Sequence, residues 1–218
     1  MNVIALKYQM RKFARTHVPP IPETPRMFMT PAWGVAAQKL AWRICGHSDK
    51  QAVYARLNPP TLRQEAVKLA AGELGVKESP AGSNSGVRVR AYQAMTGAYN
   101  SPWCASFASW AYVTAARKLG QRRPLLAPVP AYVPSWTQMI RSGSRGWHRV
   151  EAAAAMPGDL VTLWGSAHIE IVSGVDVHAH VLHTIGGNTS AHGQSSNGGQ
   201  VCRGTRYFSE VTVVGRYK

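Results

Sequence analysis

The fold is decided by residues 159–172, which read DLVTLWGSAHIEIV. Two short runs rich in β-branched and aliphatic residues flank a Gly-Ser turn, a pattern typical of neighbouring β-strands. Similar runs follow at Val181–Ile185 and Val211–Tyr217, bounded by Gly, Ser and Asn. Helical patterns precede all of these strands. The order therefore favours an α+β protein with helices packed on a mostly antiparallel sheet, and disfavours a doubly wound parallel sheet.

Two helices are predicted before the strands. Thr61-Leu-Arg-Gln64 fits a capping box, in which the Thr hydroxyl and the Gln side chain satisfy backbone N–H groups at a helix start. Ser101 and Pro102 are typical of the N-cap and the first position of a second helix, which Gly120 ends. Four prolines between 124 and 134 then break the middle of the chain. The main domain is predicted at residues 61–218.

Residues 1–60 are predicted to form a small helical N-terminal extension. Five prolines between 19 and 31 interrupt it, and a piece rich in Ala, Leu and Trp follows at roughly 32–44. Its early basic residues (Lys7, Arg11, Lys12 and Arg15) fit a helix that binds an anionic polymer of the cell wall. A solvated helix face is the alternative interpretation of the same residues.

The chain is strongly basic. Twenty-five Lys and Arg against ten Asp and Glu give a net charge of +15. This exceeds the magnitude of about 2–8 that is typical of a small domain, so a polyanionic partner is favoured over solubility alone. Nucleic acid is disfavoured as that partner, because no recognition motif is present and aromatic residues do not alternate with basic ones.

Cysteine content and hydropathy constrain the cellular compartment. Cys45, Cys104 and Cys202 are too few and too scattered for a disulfide framework. No run approaches the roughly 18 apolar residues of a membrane span, and the basic N-terminus lacks the apolar stretch of a signal peptide. We therefore expect a protein that is made in a cytoplasm and has no integral membrane segment. We also expect a monomer.

Cys104 falls in the first turn of the second predicted helix. There the helix dipole and the unpaired N–H groups favour a thiolate, which is the form of cysteine that attacks carbonyl groups. Taken alone, Cys104 is better explained as a buried structural cysteine. A nucleophilic role requires a general base nearby.

His168 is the predicted base. Strand alternation puts His168 and Glu170 on one face and isoleucines on the other. Asn188 is the preferred candidate to orient the imidazole, because residues 168 and 188 lie opposite each other if the strand pair turns near His178. Glu170 is the rival. Residues i and i+2 of a strand are about 6.5–7 Å apart, which we take as beyond hydrogen-bond reach, so solvation or substrate binding suits Glu170 as well.

Residues 61–218 resemble the CHAP (cysteine, histidine-dependent amidohydrolase/peptidase) domains of bacterial and phage lysins, papain-like relatives of the NlpC/P60 enzymes. The resemblance rests on the order and spacing of short motifs, each weak alone. They are ELGVKESPAGSN (73–84), YQ (92–93), PWCASF (102–107), PGDLV (157–161), HIEIV (168–172) and GNT (187–189).

The resemblance implies a papain-like fold and hydrolysis of an amide bond in peptidoglycan through a thioester acyl-enzyme. The bond is the muramoyl–L-alanine amide or a peptide bond of the stem or cross-bridge. The family's nucleophile maps to Cys104, its base to His168 and its orienting residue to Asn188. Many relatives carry Glu two residues before that Asn, where this chain has Gly186. Calcium, which some relatives bind, is not expected because no acidic calcium loop is present, so we expect no cofactor and no metal.

Three further residues are candidates for substrate binding: Trp103, Glu170 and Asn84. A core position is the alternative for Trp103. The histidines at 178, 180 and 183 are interpreted as surface residues, because on a strand the first two share a face and the third points away.

The expected biological role is bacterial wall lysis, with peptidoglycan and anionic wall polymers as partners. Without an export signal, a phage endolysin released through a membrane pore or a lysin carried on a virion fits better than an autolysin. The alternative function is a noncatalytic wall-binding or virion structural protein that retains the fold.

Overall fold

The computed structural model of the chain describes residues 60–190 and 197–218. The predicted N-terminal extension, apart from Pro60, lies outside the described residues. Pro60–Lys218 form one unit of the chain.

Four α-helices occur in the described part of the chain. They are α1 (Leu62–Ala71), α2 (Val87–Gln93), α3 (Cys104–Lys118) and α4 (Val133–Arg141). The predicted capping box is confirmed at the start of α1. The Thr61 hydroxyl accepts the N–H of Gln64 at 3.2 Å, and the Gln64 side chain accepts the N–H of Thr61 at 2.9 Å. No helix among these residues is long and apolar enough to cross a lipid bilayer.

Helix α3 begins two residues later than predicted. Trp103 is its N-cap, no side chain caps the helix, and Pro102 lies in the preceding loop. The hydroxyl of Ser101, the predicted N-cap, donates to the carbonyl of Tyr99 at 3.2 Å instead. The first helical hydrogen bond runs from the Phe107 N–H to the Trp103 carbonyl. Cys104 is therefore the first helical residue, which confirms its predicted place in the first turn.

Six strands form one sheet in the order β1-β6-β2-β3-β4-β5. They are β1 (Trp147–Val150), β2 (Leu160–Leu163), β3 (His168–Asp176), β4 (Val181–Thr189), β5 (Gln200–Tyr207) and β6 (Val211–Tyr217). Every neighbouring pair is antiparallel. The predicted α+β class with an antiparallel sheet is confirmed.

The main core lies between helix α3 and one face of the sheet. Eleven of the fifteen residues of α3 are buried. Eight of them pack in one cluster with Ile169, Ile171 and Ile185, whereas a smaller cluster containing Val172 occupies the opposite face. A Cβ on Gly187 would lie only 2.6 Å from side-chain atoms of α3 and its N-cap, so the absence of a side chain permits this close packing. The beginning of α3 is thereby fixed against β4.

Candidate active site

Strands β3 and β4 pair with the predicted offset. Ile171 lies opposite Ile185, and Val172 lies opposite Thr184. The regular pairing of these strands ends at Ile171 and Ile185, so the expected position of residue 168 opposite residue 188 stays a prediction. His168 starts β3, immediately after a turn, and this position brings its side chain to Cys104.

Cys104 and His168 interact in a buried environment. The imidazole is fully buried, and Cys104 is 4% exposed. Burial alone would lower the pKa of His168, but the charge and hydrogen bonding of Cys104, followed by those of Glu170, outweigh it and raise the pKa to about 9. The imidazole therefore carries a proton at neutral pH.

The two nitrogens of His168 have different environments. Nε2 lies 3.2 Å from Oε1 of Glu170. Nδ1 is buried and lacks a hydrogen bond of full geometry within the described residues. Cys104 is nevertheless near enough to the ring to raise its pKa. Because Nε2 faces a carboxylate it keeps its proton, and Nδ1 is left as the nitrogen that can exchange one.

Glu170, and not Asn188, holds the imidazole. The prediction that Glu170 lies beyond reach is wrong, because it used the spacing of the backbone, about 6.5–7 Å between residues i and i+2. The two side chains stand on the same strand face and lean along the strand, which brings their polar atoms within 3.2 Å of each other. Asn188 is fully buried, and neither polar atom of its amide has a partner among the described residues. Its predicted role as the orienting residue therefore has no supporting contact.

Arg206 on β5 completes the surroundings of Glu170. It is 1% exposed, with Nε 2.8 Å from Oε2 and Nη2 2.5 Å from Oε1 of the carboxylate. The Thr184 hydroxyl donates to Oε2 at 2.6 Å. Burial would raise the pKa of Glu170, but the bonds and charges of His168 and Arg206 outweigh burial and lower it to about 2. Glu170 is thus ionised, and the four residues Cys104, His168, Glu170 and Arg206 form what we call the Cys104 cluster.

Arg206 was missed by the sequence analysis because strand β5 was not predicted. The available signal was Glu170 itself. A carboxylate that faces inward from a strand in an apolar segment needs a cation, because an unpaired buried charge is strongly destabilising. With 25 Lys and Arg in the chain, the sequence could not indicate which one.

Trp164 packs against both cationic members of the cluster. Its ring stacks on the imidazole of His168 with centroids 5.8 Å apart, and the Arg206 guanidinium lies 5.2 Å from its centroid. Trp164 and Ser166 have positive φ values of 51° and 78°. Such values are uncommon for residues other than glycine, and they often occur where a site imposes a backbone conformation. This turn sets the direction in which His168 enters β3.

The Glu170 carboxylate lies against the main chain of Gly186. A Cβ at residue 186 would be 2.5 Å from Oε1 of Glu170. The resemblance to CHAP domains would place a Glu side chain at 186. In this chain the carboxylate beside that position comes from the neighbouring strand.

Trp103 and Asn84 were predicted to bind substrate. Trp103 is fully buried and stacks on Tyr92 at 5.6 Å, so the prediction that it lines a groove is wrong and the core alternative is confirmed. The carbonyl of Asn84 accepts a bond from the buried Gln93 amide at 2.9 Å, and the same amide donates to the Ser101 carbonyl. Gln93 thereby connects the loop at Asn84 to the loop before α3. Substrate binding by Asn84 stays a prediction.

The Cys104 cluster is suited to nucleophilic attack. It places a thiol at a helix start beside a protonated imidazole, with an ionised carboxylate behind the ring. In residues 60–190 and 197–218, no three His, Cys, Asp or Glu side chains converge as ligands of a metal ion would.

In comparisons with known proteins, no protein-family model, no curated protein and no solved structure matches this chain.

Proposed function

We propose that this protein is a papain-like cysteine hydrolase that cleaves an amide bond of peptidoglycan. Cys104 is the nucleophile, and His168 is the general base and acid. The observation that carries the proposal is the environment of His168: its Nε2 lies 3.2 Å from an ionised carboxylate, and Cys104 is near enough to raise the pKa of the ring. A cysteine and a histidine in contact, with a carboxylate behind the ring, is the arrangement that nucleophilic catalysis by cysteine requires.

In the proposed reaction the thiol proton resides on His168, and the Cys104 sulfur attacks the carbonyl carbon of the substrate. The carbonyl oxygen gains negative charge, which the Cys104 backbone N–H at the unpaired start of α3 can stabilise. The imidazolium then gives its proton to the amine nitrogen as the carbon–nitrogen bond breaks. Water attacks the resulting thioester, His168 accepts a proton from that water, and the thiolate leaves as the acid product forms.

Glu170 and Arg206 act on this reaction through His168. Glu170 fixes the orientation of the ring and stabilises the imidazolium, and Arg206 keeps Glu170 ionised in its buried position. Asn188 has a different role in the proposal. Its buried amide is unpartnered and its φ of 55° is unusual, so we assign it to contact with the reacting amide group.

The choice of peptidoglycan as substrate rests on the resemblance of residues 61–218 to CHAP domains. The net charge of +15 supports it, because bacterial walls present anionic polymers. The cleaved bond is either the muramoyl–L-alanine amide or a peptide bond of the stem or cross-bridge. Both reactions are acyl transfers to sulfur and would use the same residues.

The second candidate is a noncatalytic wall-binding or virion structural protein. The observation that favours it is the burial of the site. Cys104 is 4% exposed and His168 is fully buried, so a substrate carbonyl needs a local opening before it can reach the sulfur. A protein that only binds the wall would need no such opening.

The deciding experiment is digestion of purified peptidoglycan of known stem chemistry, with soluble products identified by mass spectrometry. We expect the wild type to release fragments and Cys104→Ser to lose at least about 1,000-fold in rate, as loss of a nucleophile does in related chemistry. Cys202→Ser, the same change at a half-buried cysteine that the mechanism does not use, is the control and should retain activity. If several wall chemotypes give no product with any variant while all of them bind the wall, the noncatalytic function replaces this proposal.

A further inference from the structure

One buried carboxylate differs from the others in having no cation. Four carboxylate side chains are buried in the described residues: Glu65, Glu78, Asp159 and Glu170. Three of them form ion pairs: Glu65 with Lys118 at 2.5 Å, Asp159 with Arg216 at 2.8 Å, and Glu170 with Arg206 at 2.5 Å. Glu78 is 8% exposed and forms no ion pair with any described residue. In a protein with a net charge of +15, this absence requires an explanation.

Only one of the two Glu78 carboxylate oxygens accepts a hydrogen bond from the described residues. Its Oε1 accepts the indole N–H of Trp103 at 2.8 Å, and its backbone N–H donates to the Gly199 carbonyl at 2.9 Å. Oε2 accepts no hydrogen bond from residues 60–190 or 197–218. Oε2 is not fully enclosed by protein, so it faces outward, where a cationic partner would form a charge-assisted hydrogen bond with it. The unused oxygen is therefore available for a donor from outside the protein.

The carboxylate opens into a small cavity. The cavity has a volume of about 280 Å³ and is lined by Lys77, Glu78, Ala81, Gly82, Gly198, Gly199 and Gln200. Small residues dominate its wall. A Cβ on Gly199 would lie 3.2–3.5 Å from the Glu78 carboxylate, so the glycine leaves the charged group accessible from the cavity. Lys77 is exposed at the rim and makes no ion pair with Glu78 among the described contacts.

The cavity is connected to the proposed nucleophile through one residue. Trp103 donates its indole N–H to Glu78, stacks on Tyr92, and immediately precedes Cys104 at the start of α3. A group held by Glu78 would therefore lie beside the segment that carries the thiol.

We propose that this cavity is a substrate subsite for a protonated primary amine, with Glu78 as the residue that recognises it. The inference rests on the proposed function, because peptide stems of the wall carry such amines. An ammonium group can donate to the free Oε2 and neutralise the buried charge. Lys77 at the rim would favour a substrate that also carries a carboxylate. Glu78 is thus a determinant of specificity, distinct from the residues that perform the chemistry.

The test uses stem peptides that contain a side-chain amine and a free α-amine, together with versions acetylated at one or the other nitrogen. We expect acetylation of the recognised amine to raise the KM of the wild type about 10- to 100-fold, the usual weight of a hydrogen bond to a charged group. Glu78→Gln should raise the KM for the free peptide to the acetylated level and change kcat little. The peptide whose acetylation has the effect identifies which amine is bound.

Glu78→Gln keeps an acceptor for the Trp103 indole, so the fold should be retained, and thermal unfolding checks this. Glu151→Gln makes the same charge change at an exposed residue and should leave the discrimination intact. Discrimination that survives in Glu78→Gln, or an equal loss of rate on every peptide, overturns the subsite. So does a wild type that treats all peptides alike.

Failure of the proposed function has a different signature. If the wild type hydrolyses none of these peptides, their binding to the full-length Cys104→Ala variant is measured by NMR titration. Binding that weakens at least about 10-fold on acetylation, and that also weakens when Glu78→Gln is added, supports the subsite independently of catalysis. Absence of binding by every peptide overturns it.

Discussion

Replacing Arg206 with Met would remove the cation that neutralises Glu170 while keeping a long apolar side chain beside Trp164. Glu170 would then remain fully buried with only His168 and Thr184 as partners. The free energy of unfolding should fall, because a buried charge is left without its counter-ion. The site should also change, because loss of the guanidinium raises the pKa of Glu170 and weakens its hold on the imidazole.

The cost of breaking a buried ion pair sets the magnitude of this loss, about 3–5 kcal/mol when one partner is removed. The pKa of Glu170 agrees in direction, because burial would raise it and His168 and Arg206 together lower it to about 2. For a domain of this size each kcal/mol lowers Tm by about 2–4 °C, so Arg206→Met should lower it by about 6–20 °C.

The dependence on pH has a definite sign. The folded-state pKa of Glu170 is lowered, so its ionisation stabilises the fold above pH 4.5 and this contribution is lost as the pH falls toward about 2. The difference in stability between wild type and Arg206→Met should therefore be largest near pH 7 and should shrink at low pH. Thermal and urea unfolding followed by circular dichroism at pH 7 and pH 3 measure both values.

A double-mutant cycle separates the ion pair from simple loss of packing. Glu170→Gln leaves Arg206 as the unpaired charge and should also destabilise the fold. Combining it with Arg206→Met removes both charges, so the double variant should lose at least about 2 kcal/mol less than the sum of the single losses. Additive losses, or a fall in Tm below about 2 °C for Arg206→Met alone, would refute the account of Glu170 as an ionised, cation-dependent group.

Two other predictions concern the immediate surroundings of the Cys104 cluster. Gly186→Ala would place a Cβ 2.5 Å from a carboxylate that cannot easily move, so it should destabilise the fold by about 1–3 kcal/mol in urea unfolding. Gly174→Ala, whose Cβ would meet only His183 atoms 3.7–3.8 Å away, is the matched control, and equal effects would contradict the crowding argument. In Cys104→Ala the pKa of His168, followed by NMR of the ring proton, should fall below its value of about 9 because the interaction with Cys104 that raises it is gone. An unchanged value would mean that Cys104 does not act on this imidazole.

Patterns local to a few residues predicted the fold class. The capping box at Thr61, the first-turn position of Cys104 and the offset between β3 and β4 all follow from such patterns. Helix α4 was missed because Pro134 was interpreted as a break, whereas it lies in the first turn of the helix, where proline is tolerated. Strand β5 was missed because Gln200–Tyr207 is largely polar and contains Gly204. Its conformation depends on pairing with β4, which no local pattern reports.

The residues of the candidate site were likewise predicted only in part. Residue type and spacing identified Cys104 and His168 as partners. The choice of Asn188 over Glu170 failed because backbone spacing does not describe where two long side chains meet. Arg206 lay beyond prediction because a buried carboxylate calls for a cation without specifying the strand that supplies it.

Side chains at positions 170 and 186 would compete for the same space, because the Glu170 carboxylate lies against Gly186. There is room beside the imidazole for a single carboxylate, and either strand has a residue placed to carry it. During divergence, a glutamate could move from one strand to the other only through an intermediate with two crowded side chains or with none. A lineage in which the glutamate has moved to the other strand would still have a carboxylate beside the imidazole, although the sequence around both positions would have changed. Conservation measured at either position alone would then understate how strictly the site requires this carboxylate.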